Sequence, residues 1–513
     1  MQSGLKQVKI GAFLTYALLF INTIVNFWMT PFLVKNLGMD EYGLFKLVGS
    51  LSGSLLVLNL GIGDTVQRYV SLYVAQGNNQ KIPNLMAMCL RISLLLNGLI
   101  FFVGIIVILL FPTTYGNTLL PEQLGKGTIM LVILVANIML TVIENLFSGL
   151  LAGYNQFVFT NSLKIIIFIF RTLVIFLGIR GGGNSVFLVA LSFGLTLLTL
   201  IIEWFYSRKK LHLRIKYEGW DKSLFQEAGK FTVLMFLTAL AGQAFTNVDN
   251  IVIGAFLGTA VVTIYSVAQF FFNLFQQLSC AISGVMLPTV TMVLQKENGL
   301  KKAEQLVIQA GRVQFILLGA ALAGIISIGK EFIFLWLGDG YERVHLLILI
   351  LVGPTLFELC TNVCNSILAA SNKIAFRTYV NFISAAINAI LTIILVKTWS
   401  YIGAAVATAF SYISCSLITM NIYYIKVMKL DMISIHKGII GNLWICMILP
   451  MGVLFILNNY LYGSWVTFIM KVIIFVVIYV VFLLIFGLHE EEKRQIPIIG
   501  KFFRREGYDS GTV

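Results

Sequence analysis

Two basic residues lie inside one of the apolar stretches of this 513-residue chain. In the segment 158–179, Lys164 and Arg171 are seven positions apart, which places them on one face of a helix. Lys164 is close enough to one end to extend to the membrane surface, but Arg171 lies about 13 residues inside, or roughly 20 Å. A buried Arg costs on the order of 3 kcal/mol. We therefore expect Arg171 to have a partner, which is a carboxylate, a backbone carbonyl or an anionic substrate.

Neutral polar residues recur at helical spacings in four other apolar segments. They are Asn26 in 10–34, Gln243, Asn247 and Asn250 in 228–256, Gln269 and Asn273 in 262–291, and Asn388 in 374–397. A single stripe of this kind is commonly a set of hydrogen bonds between helices. Four stripes favour a water-filled cleft, because polar groups in lipid need partners. Such a cleft would bind the hydroxyl groups of a hydrophilic cargo.

Four more charged residues near apolar segments are candidate site residues. Asp249 and Glu358 are candidates for binding a coupling ion, since a desolvated carboxylate can titrate near neutral pH. Arg68 and Arg377, with Lys164 and Arg171, are candidates for binding an anionic group.

The composition indicates which elements position these residues. Hydrophobic residues make up 58% of the chain and charged residues 11%, whereas soluble domains have about 25% charged residues. Apolar stretches of about 20 residues, the length of one helical span, recur along the chain and do not alternate with polar residues. We predict an all-α polytopic membrane protein with about fourteen transmembrane helices.

The basic residues predict the orientation. The net charge is +14, and Lys and Arg concentrate in alternate loops, above all in 207–230. This is the bias of cytoplasmic loops, so the charge is no evidence for nucleic-acid binding. We expect a multi-pass protein of the inner (cytoplasmic) membrane with both termini in the cytoplasm. Glu203 is then expected at the cytoplasmic interface.

Short matches at a nearly constant offset indicate a repeat. Leu37-Gly38 corresponds to Leu257-Gly258, and Gly183 corresponds to Gly403. We predict an N-terminal lobe of six helices (1–206), a basic cytoplasmic loop (207–230) and a C-terminal lobe of six helices (228–425). Two further helices (437–487) and a cytoplasmic tail (488–513) fall outside the repeat. Six helices separate the copies, so the lobes form a parallel repeat with a cavity between them.

The sequence lacks the residue patterns of common enzymes. There is no Gly-Lys-Ser/Thr phosphate loop, the four histidines lie at loops or helix ends, and the six cysteines have no histidine cluster beside them. We expect no catalytic residue, no metal site and no cofactor. A glycan polymerase or ligase would need a long outer loop, which the predicted topology does not contain. Transport without covalent chemistry is the remaining interpretation.

Four segments resemble a known family. They are 31–45 (Pro31 to Phe45), 60–70 (Leu60 to Val70), 152–156 (Ala152 to Gln156) and 249–265 (Asp249 to Tyr265). They resemble the O-antigen and capsule flippases, which are the polysaccharide branch of the multidrug/oligosaccharidyl-lipid/polysaccharide exporter superfamily. The resemblance implies two six-helix bundles, a central cavity and two extra helices.

The resemblance also implies a cargo. It implies translocation of an undecaprenyl-pyrophosphate-linked oligosaccharide across the inner membrane by alternating access, coupled to Na⁺ or H⁺. Membrane lipids and the polymerase and glycosyltransferases of the same pathway are the implied partners. A multidrug/cation antiporter and a flippase for the peptidoglycan precursor are the alternatives. The first helix contains no acidic residue, unlike the cation-site helix of many multidrug relatives, which weakens the drug-efflux alternative.

Overall fold

The computed structural model describes residues 2–59, 61–213, 215–220, 240, 242–243, 245, 247–461, 463–488 and 492, without the side chains of residues 2–9, 11–13 and 16. This described part contains many apolar helices and no strand, which confirms the predicted all-α polytopic membrane fold. Part of the predicted basic loop 207–230 and most of the tail 488–513 lie outside the described residues.

The described helices divide at residue 258 into an earlier and a later set. The earlier set is α1 (Gln2–Leu55), α2 (Ile62–Ala75), α3 (Ile82–Tyr115), α4 (Pro121–Gly153), α5 (Phe157–Arg180), α6 (Ser185–Lys210) and α7 (Asn247–Leu257). The later set is α8 (Thr259–Gly284), α9 (Leu287–Leu294), α10 (Gly299–Gln314), α11 (Ala320–Leu337), α12 (Glu342–Val352), α13 (Thr355–Cys360), α14 (Cys364–Ala370), α15 (Ile374–Ser411), α16 (Met420–Lys426), α17 (Met432–Ile440), α18 (Leu443–Leu457) and α19 (Trp465–Phe482). Most of the predicted seventh helix, 228–256, precedes α7 and is outside the described residues.

Two of the apolar helical stretches are too long for a single span. Among the described residues, nine stretches are long and apolar enough to cross a bilayer, and Ala17–Ala75 has 59 residues. A straight helix of that length would measure about 88 Å, roughly three times the hydrocarbon core. Gly38 interrupts α1 with a φ of 81°, and Ser400 interrupts α15 with a φ of 57°. Each kink lies between two predicted helices, so each long stretch supplies two spans.

The apolar sequence over 345–370 predicts one continuous helix, and this prediction is wrong. The structure divides this region into α12, α13 and α14. Pro354 follows Gly353 at the first break, and proline has no N–H group and clashes with the preceding helical turn. A turn over 361–363 makes the second break. The pattern of apolar residues is continuous across both breaks, which is why the hydrophobicity alone predicts one helix.

The chain packs as two compact units. The first unit comprises Met1–Val267 and Asn381–Ser411, and the second comprises Ala268–Val380 and Tyr412–Val513. The division into lobes at 1–206 and 228–425, with 437–487 outside the repeat, stays a prediction.

Within the first unit, α4 packs against α2, α3 and α6. Glycine permits the closest of these approaches. A Cβ atom on Gly149 of α4 would lie 2.3 Å from the carbonyl oxygen of Gly63 in α2, which no larger residue tolerates. Small residues are the usual means by which membrane helices approach each other. A buried apolar cluster that includes Val66, Tyr69 and Leu146 fills the space beside this contact.

Within the second unit, α11 packs against α12, α18 and α19. A buried ion pair joins two of these helices: Lys471 Nζ of α19 lies 2.6 Å from Glu331 Oε2 of α11. Lys471 also donates a hydrogen bond to Asn458 at 2.9 Å, and Glu331 accepts one from the Gly463 backbone. The last two predicted helices, 437–487, are thus joined to α11 by a polar network inside apolar surroundings.

Candidate functional site

A cavity of about 470 Å³ lies between α1, α4, α5 and α6 of the first unit. Lys164 and Arg171 of α5 both line it, as their spacing predicts. The apolar side of the cavity includes Phe45 and Phe168. Its polar side chains are Asn137, Thr141, Glu144, Ser192, Thr196 and Thr199. The cavity therefore places two cations of a membrane helix beside neutral hydrogen-bonding groups.

Arg171 lies in the middle of the apolar helix α5. Its Nε atom is buried and has no hydrogen-bond partner within the described part of the chain. The Oδ1 atom of Asn137, across the same cavity, is also buried without a partner. Buried polar atoms without partners are rare, because each forfeits its interaction with water. Among the described residues, no carboxylate forms an ion pair with Arg171.

A second polar site surrounds Asp249 of α7, whose side chain is 1% exposed. Its carboxylate accepts hydrogen bonds from Thr408 at 2.8 Å, Thr392 at 3.0 Å and Asn388 at 3.5 Å. The Tyr265 hydroxyl of α8 donates a further one. These donors come from α8 and from both sides of the Ser400 kink in α15, and they include Asn388, which the sequence also predicts as a site residue.

No Lys or Arg among the described residues forms an ion pair with Asp249. The donors are all neutral, so they leave the formal charge of an ionised Asp249 uncompensated. A buried carboxylate of this kind becomes neutral by binding a proton or a metal cation. Hydroxyl and amide oxygens nearby are suitable ligands for a hard cation.

Glu358, the other predicted ion-binding carboxylate, has a different environment in the second unit. Arg377 donates to its Oε1 at 2.9 Å and Tyr412 donates to its Oε2 at 2.7 Å. Gln276 in turn donates to the Tyr412 hydroxyl at 2.7 Å. Glu358 and Arg377 thus compensate each other's charge. Neither side chain therefore needs a coupling ion or a bound anion to neutralise it.

The stripe on α7 is partly a helix contact. Asn247 donates to Gln243 at 2.7 Å, and Asn250 donates to Ser50 of α1 at 3.1 Å. The Asn250–Ser50 bond joins α7 to α1, which is the alternative interpretation of a single stripe, whereas the Asn247–Gln243 bond is local. The remaining predicted site residues differ in exposure: Arg68 and Asn26 are exposed, whereas Gln269 and Asn273 are half-buried.

Sequence reasoning missed several residues of these sites. Glu144 lines the first cavity, and Glu203, which the sequence predicts at the cytoplasmic interface, is fully buried. Thr408 completes the Asp249 site, although a threonine in an apolar helix gives no distinguishing signal. Tyr265 and Asp249 both belong to the segment 249–265 that carries part of the family resemblance, and the structure joins them by a hydrogen bond.

Two residues of another such segment have structural roles. Asp40 accepts a hydrogen bond from Thr259 at 2.9 Å, which joins α1 to α8. Glu41 accepts from the backbone and hydroxyl of Ser185 and from Lys126, which joins α1 to α6 and α4. The acidic pair after Gly38 therefore secures the kinked helix to its neighbours.

The chain is similar to a family model, to curated proteins and to solved structures. The chain matches the model of the polysaccharide biosynthesis protein family over residues 8–294. It is 22% identical over 451 residues to the uncharacterized membrane protein EpsK of Bacillus subtilis, covering 82% of this chain and 84% of that one. It is 28% identical over 191 residues to the probable flippase AglR of Haloferax volcanii, covering 36% and 39%.

Solved structures share the fold. The lipid II flippase MurJ in an inward closed conformation has a TM-score of 0.68 and 16% identity, covering 96% of this chain and 98% of that one. An inward-facing multidrug resistance MATE family transporter has a TM-score of 0.61 and 15% identity, covering 84% and 94%. The chain is a multi-pass membrane protein, and it belongs to the polysaccharide biosynthesis protein family.

Proposed function

We propose that this protein is a carrier, not an enzyme, that moves an undecaprenyl-pyrophosphate-linked oligosaccharide across the cytoplasmic membrane. The observation that carries the proposal is Arg171, a guanidinium with an unpartnered buried Nε atom in a polar cavity among membrane helices. The name of one relative, the probable flippase AglR, supports a flippase role, and the name of another, the probable low-salt glycan biosynthesis flippase Agl15, supports a glycan cargo.

The pyrophosphate is the part of the cargo that needs Arg171. Guanidinium groups bind phosphate oxygens through paired charge-assisted hydrogen bonds, and Lys164 supplies a second positive charge to the same cavity. Binding the anion would offset the cost of keeping Arg171 inside the membrane. Glu358 already neutralises Arg377, so the first-unit cavity is the better anion site of the two.

The oligosaccharide needs neutral hydrogen-bond partners. Asn26, Gln269 and Asn273 remain our candidates for its hydroxyl groups. Alternating access would expose the cargo first to the cytoplasm and then to the outside, while the polyprenyl tail stays in lipid. Glycosyltransferases that build the cargo and a polymerase that consumes it are the proposed pathway partners.

Ion coupling fits Asp249 better than Glu358. Asp249 has four neutral donors and no cationic partner among the described residues, whereas Arg377 already compensates Glu358. We assign the coupling Na⁺ or H⁺ to Asp249. Binding there would offset the cost of an enclosed negative charge.

Substitution of Arg171 tests the proposed function in a deletion strain. We expect Arg171→Ala to reduce surface polysaccharide at least tenfold, since charge-assisted hydrogen bonds contribute about 1.5–3 kcal/mol. Arg171→Lys should retain part of the output because it keeps the charge. Arg180→Ala, an exposed position on the same helix, is the matched control and should leave output unchanged.

Membrane levels of each variant are compared by immunoblot. Normal polysaccharide output from Arg171→Ala would refute the role of Arg171. A deletion that stops growth but leaves surface polysaccharide unchanged would instead identify the peptidoglycan precursor as the cargo.

A further inference from the structure

The carboxyl group of Glu203 on α6 is enclosed without a partner. Its side chain is 0% exposed, and neither Oε1 nor Oε2 has a hydrogen-bond partner in the described part of the protein. A carboxylate ion in this position would lose its hydration with nothing in exchange. A protonated carboxyl group avoids most of that cost, because it carries no charge.

Glu203 lies in the same part of the first unit as Glu144 and Lys164. Thr199, one turn earlier on the same face of α6, lines the first-unit cavity together with Glu144 and Lys164. Glu144 is nine residues from the end of α4 and Glu203 is seven from the end of α6, so both lie about 10–14 Å from those ends. Glu144, Lys164 and Thr199 line one cavity, so Glu203, one turn from Thr199, belongs to the same part of the first unit as these two charged side chains.

The cavity itself has other unsatisfied polar atoms. Arg171 Nε and Asn137 Oδ1 are buried without partners in the same space between α4, α5 and α6. Of the helices around it, α4 presents Glu144, α5 presents Lys164 and Arg171, and α1 presents only Phe45 and Gly49. The Glu203 carboxyl is therefore one helical turn from a cavity that contains unsatisfied polar atoms.

We propose that Glu203 is a second proton-binding site, separate from Asp249, and that Glu144 and Lys164 set its proton affinity. Ionised Glu144 and Glu203 would place two negative charges in this part of the first unit, and one proton on Glu203 removes one of them. The proton adds to a carboxylate oxygen and leaves by the same bond, so no other reactant is needed.

Proton binding at Glu203 is linked to anion binding in the same cavity, a step that rests on the proposed function. A neutral Glu203 leaves Lys164 and Arg171 with less competing negative charge, so a pyrophosphate group binds more tightly. By reciprocity, a bound pyrophosphate raises the proton affinity of Glu203 by the same factor. Release of the proton on one side of the membrane would then favour release of the cargo there.

Infrared spectroscopy of the full-length protein in detergent tests the proton site without any cargo. We expect a protonated-carboxyl carbonyl band in the wild type that is missing from Glu203→Gln. Glu122→Gln, whose side chain is 79% exposed, is the control and should keep the band. A Glu203→Gln spectrum identical to the wild-type spectrum in this region would overturn the proposal.

Two further variants keep the test decisive if Glu203→Gln does not fold. Glu144→Gln removes a negative neighbour, so the band should disappear at a pH about one unit lower, a tenfold loss of proton affinity. Lys164→Gln removes a positive neighbour and should move the transition to higher pH. Unchanged transitions in both variants would overturn the proposal.

Flipping of the lipid-linked glycan in proteoliposomes then separates the two claims. If the proton site exists but the wild type moves no glycan, the proposed function fails and the site stands. Loss of pH dependence in a Glu203→Gln variant that still flips supports the linkage, and an unchanged pH profile refutes it.

Discussion

The buried ion pair between Lys471 and Glu331 gives a quantitative prediction for stability. The side chains are 0% and 2% exposed, and their charged atoms lie 2.6 Å apart. In Lys471→Met, Glu331 loses its cationic partner and keeps the backbone N–H of Gly463 as a donor at 3.2 Å. Removing one partner of a buried pair costs about 3–5 kcal/mol. We therefore expect this loss in the free energy of unfolding of the detergent-solubilised protein.

The double variant Lys471→Met/Glu331→Leu should recover most of that loss, because no buried charge is left without a partner. Lys216→Met is the control, since the Lys216–Glu218 pair is exposed and contributes about 0–1 kcal/mol. Thermal unfolding followed by circular dichroism measures all four proteins. A double variant as unstable as Lys471→Met would refute the reasoning.

Two other predictions concern the first unit. Asp249→Asn should abolish the stimulation of glycan flipping by an imposed Na⁺ or H⁺ gradient, while Asp64→Asn, at an exposed position, should retain it. Proteoliposomes with each gradient in turn identify the ion. Retained stimulation in Asp249→Asn would exclude Asp249 as the ion site. Gly149→Ala should destabilise the protein by about 1–3 kcal/mol, because its Cβ would meet the Gly63 carbonyl oxygen at 2.3 Å. A Cβ at Gly125 on the same helix would meet nothing within 4 Å, so Gly125→Ala should be neutral or stabilising in the same unfolding assay.

Sequence reasoning predicted the membrane helices well because their signal is local. Apolar length alone identifies a span, and Gly38 marks a helix end by its own conformational freedom. Ser400 is less evident, since a serine at positive φ has no distinctive sequence signal. The breaks that make α12, α13 and α14 depend on local backbone geometry within a continuous apolar pattern.

The sites were predicted less completely because they depend on which helices meet. Helical spacing correctly placed Lys164 and Arg171 in one cavity, since both belong to α5. Spacing within a helix says nothing about Arg377 and Glu358, which are on different helices and form an ion pair. The same limit applies to Glu203, whose burial results from packing between helices rather than from its position in α6.

The Asp249 site has a mechanical consequence. Asn388 and Thr392 precede the kink at Ser400 in α15, and Thr408 follows it, so one carboxylate bonds to both arms of a bent helix. A change in the charge of Asp249 alters the attraction felt by both arms, and by Tyr265 of α8, at once. The occupancy of the ion proposed at Asp249 and the angle between the two arms of α15 are therefore coupled. An experiment that fixes one of them constrains the other.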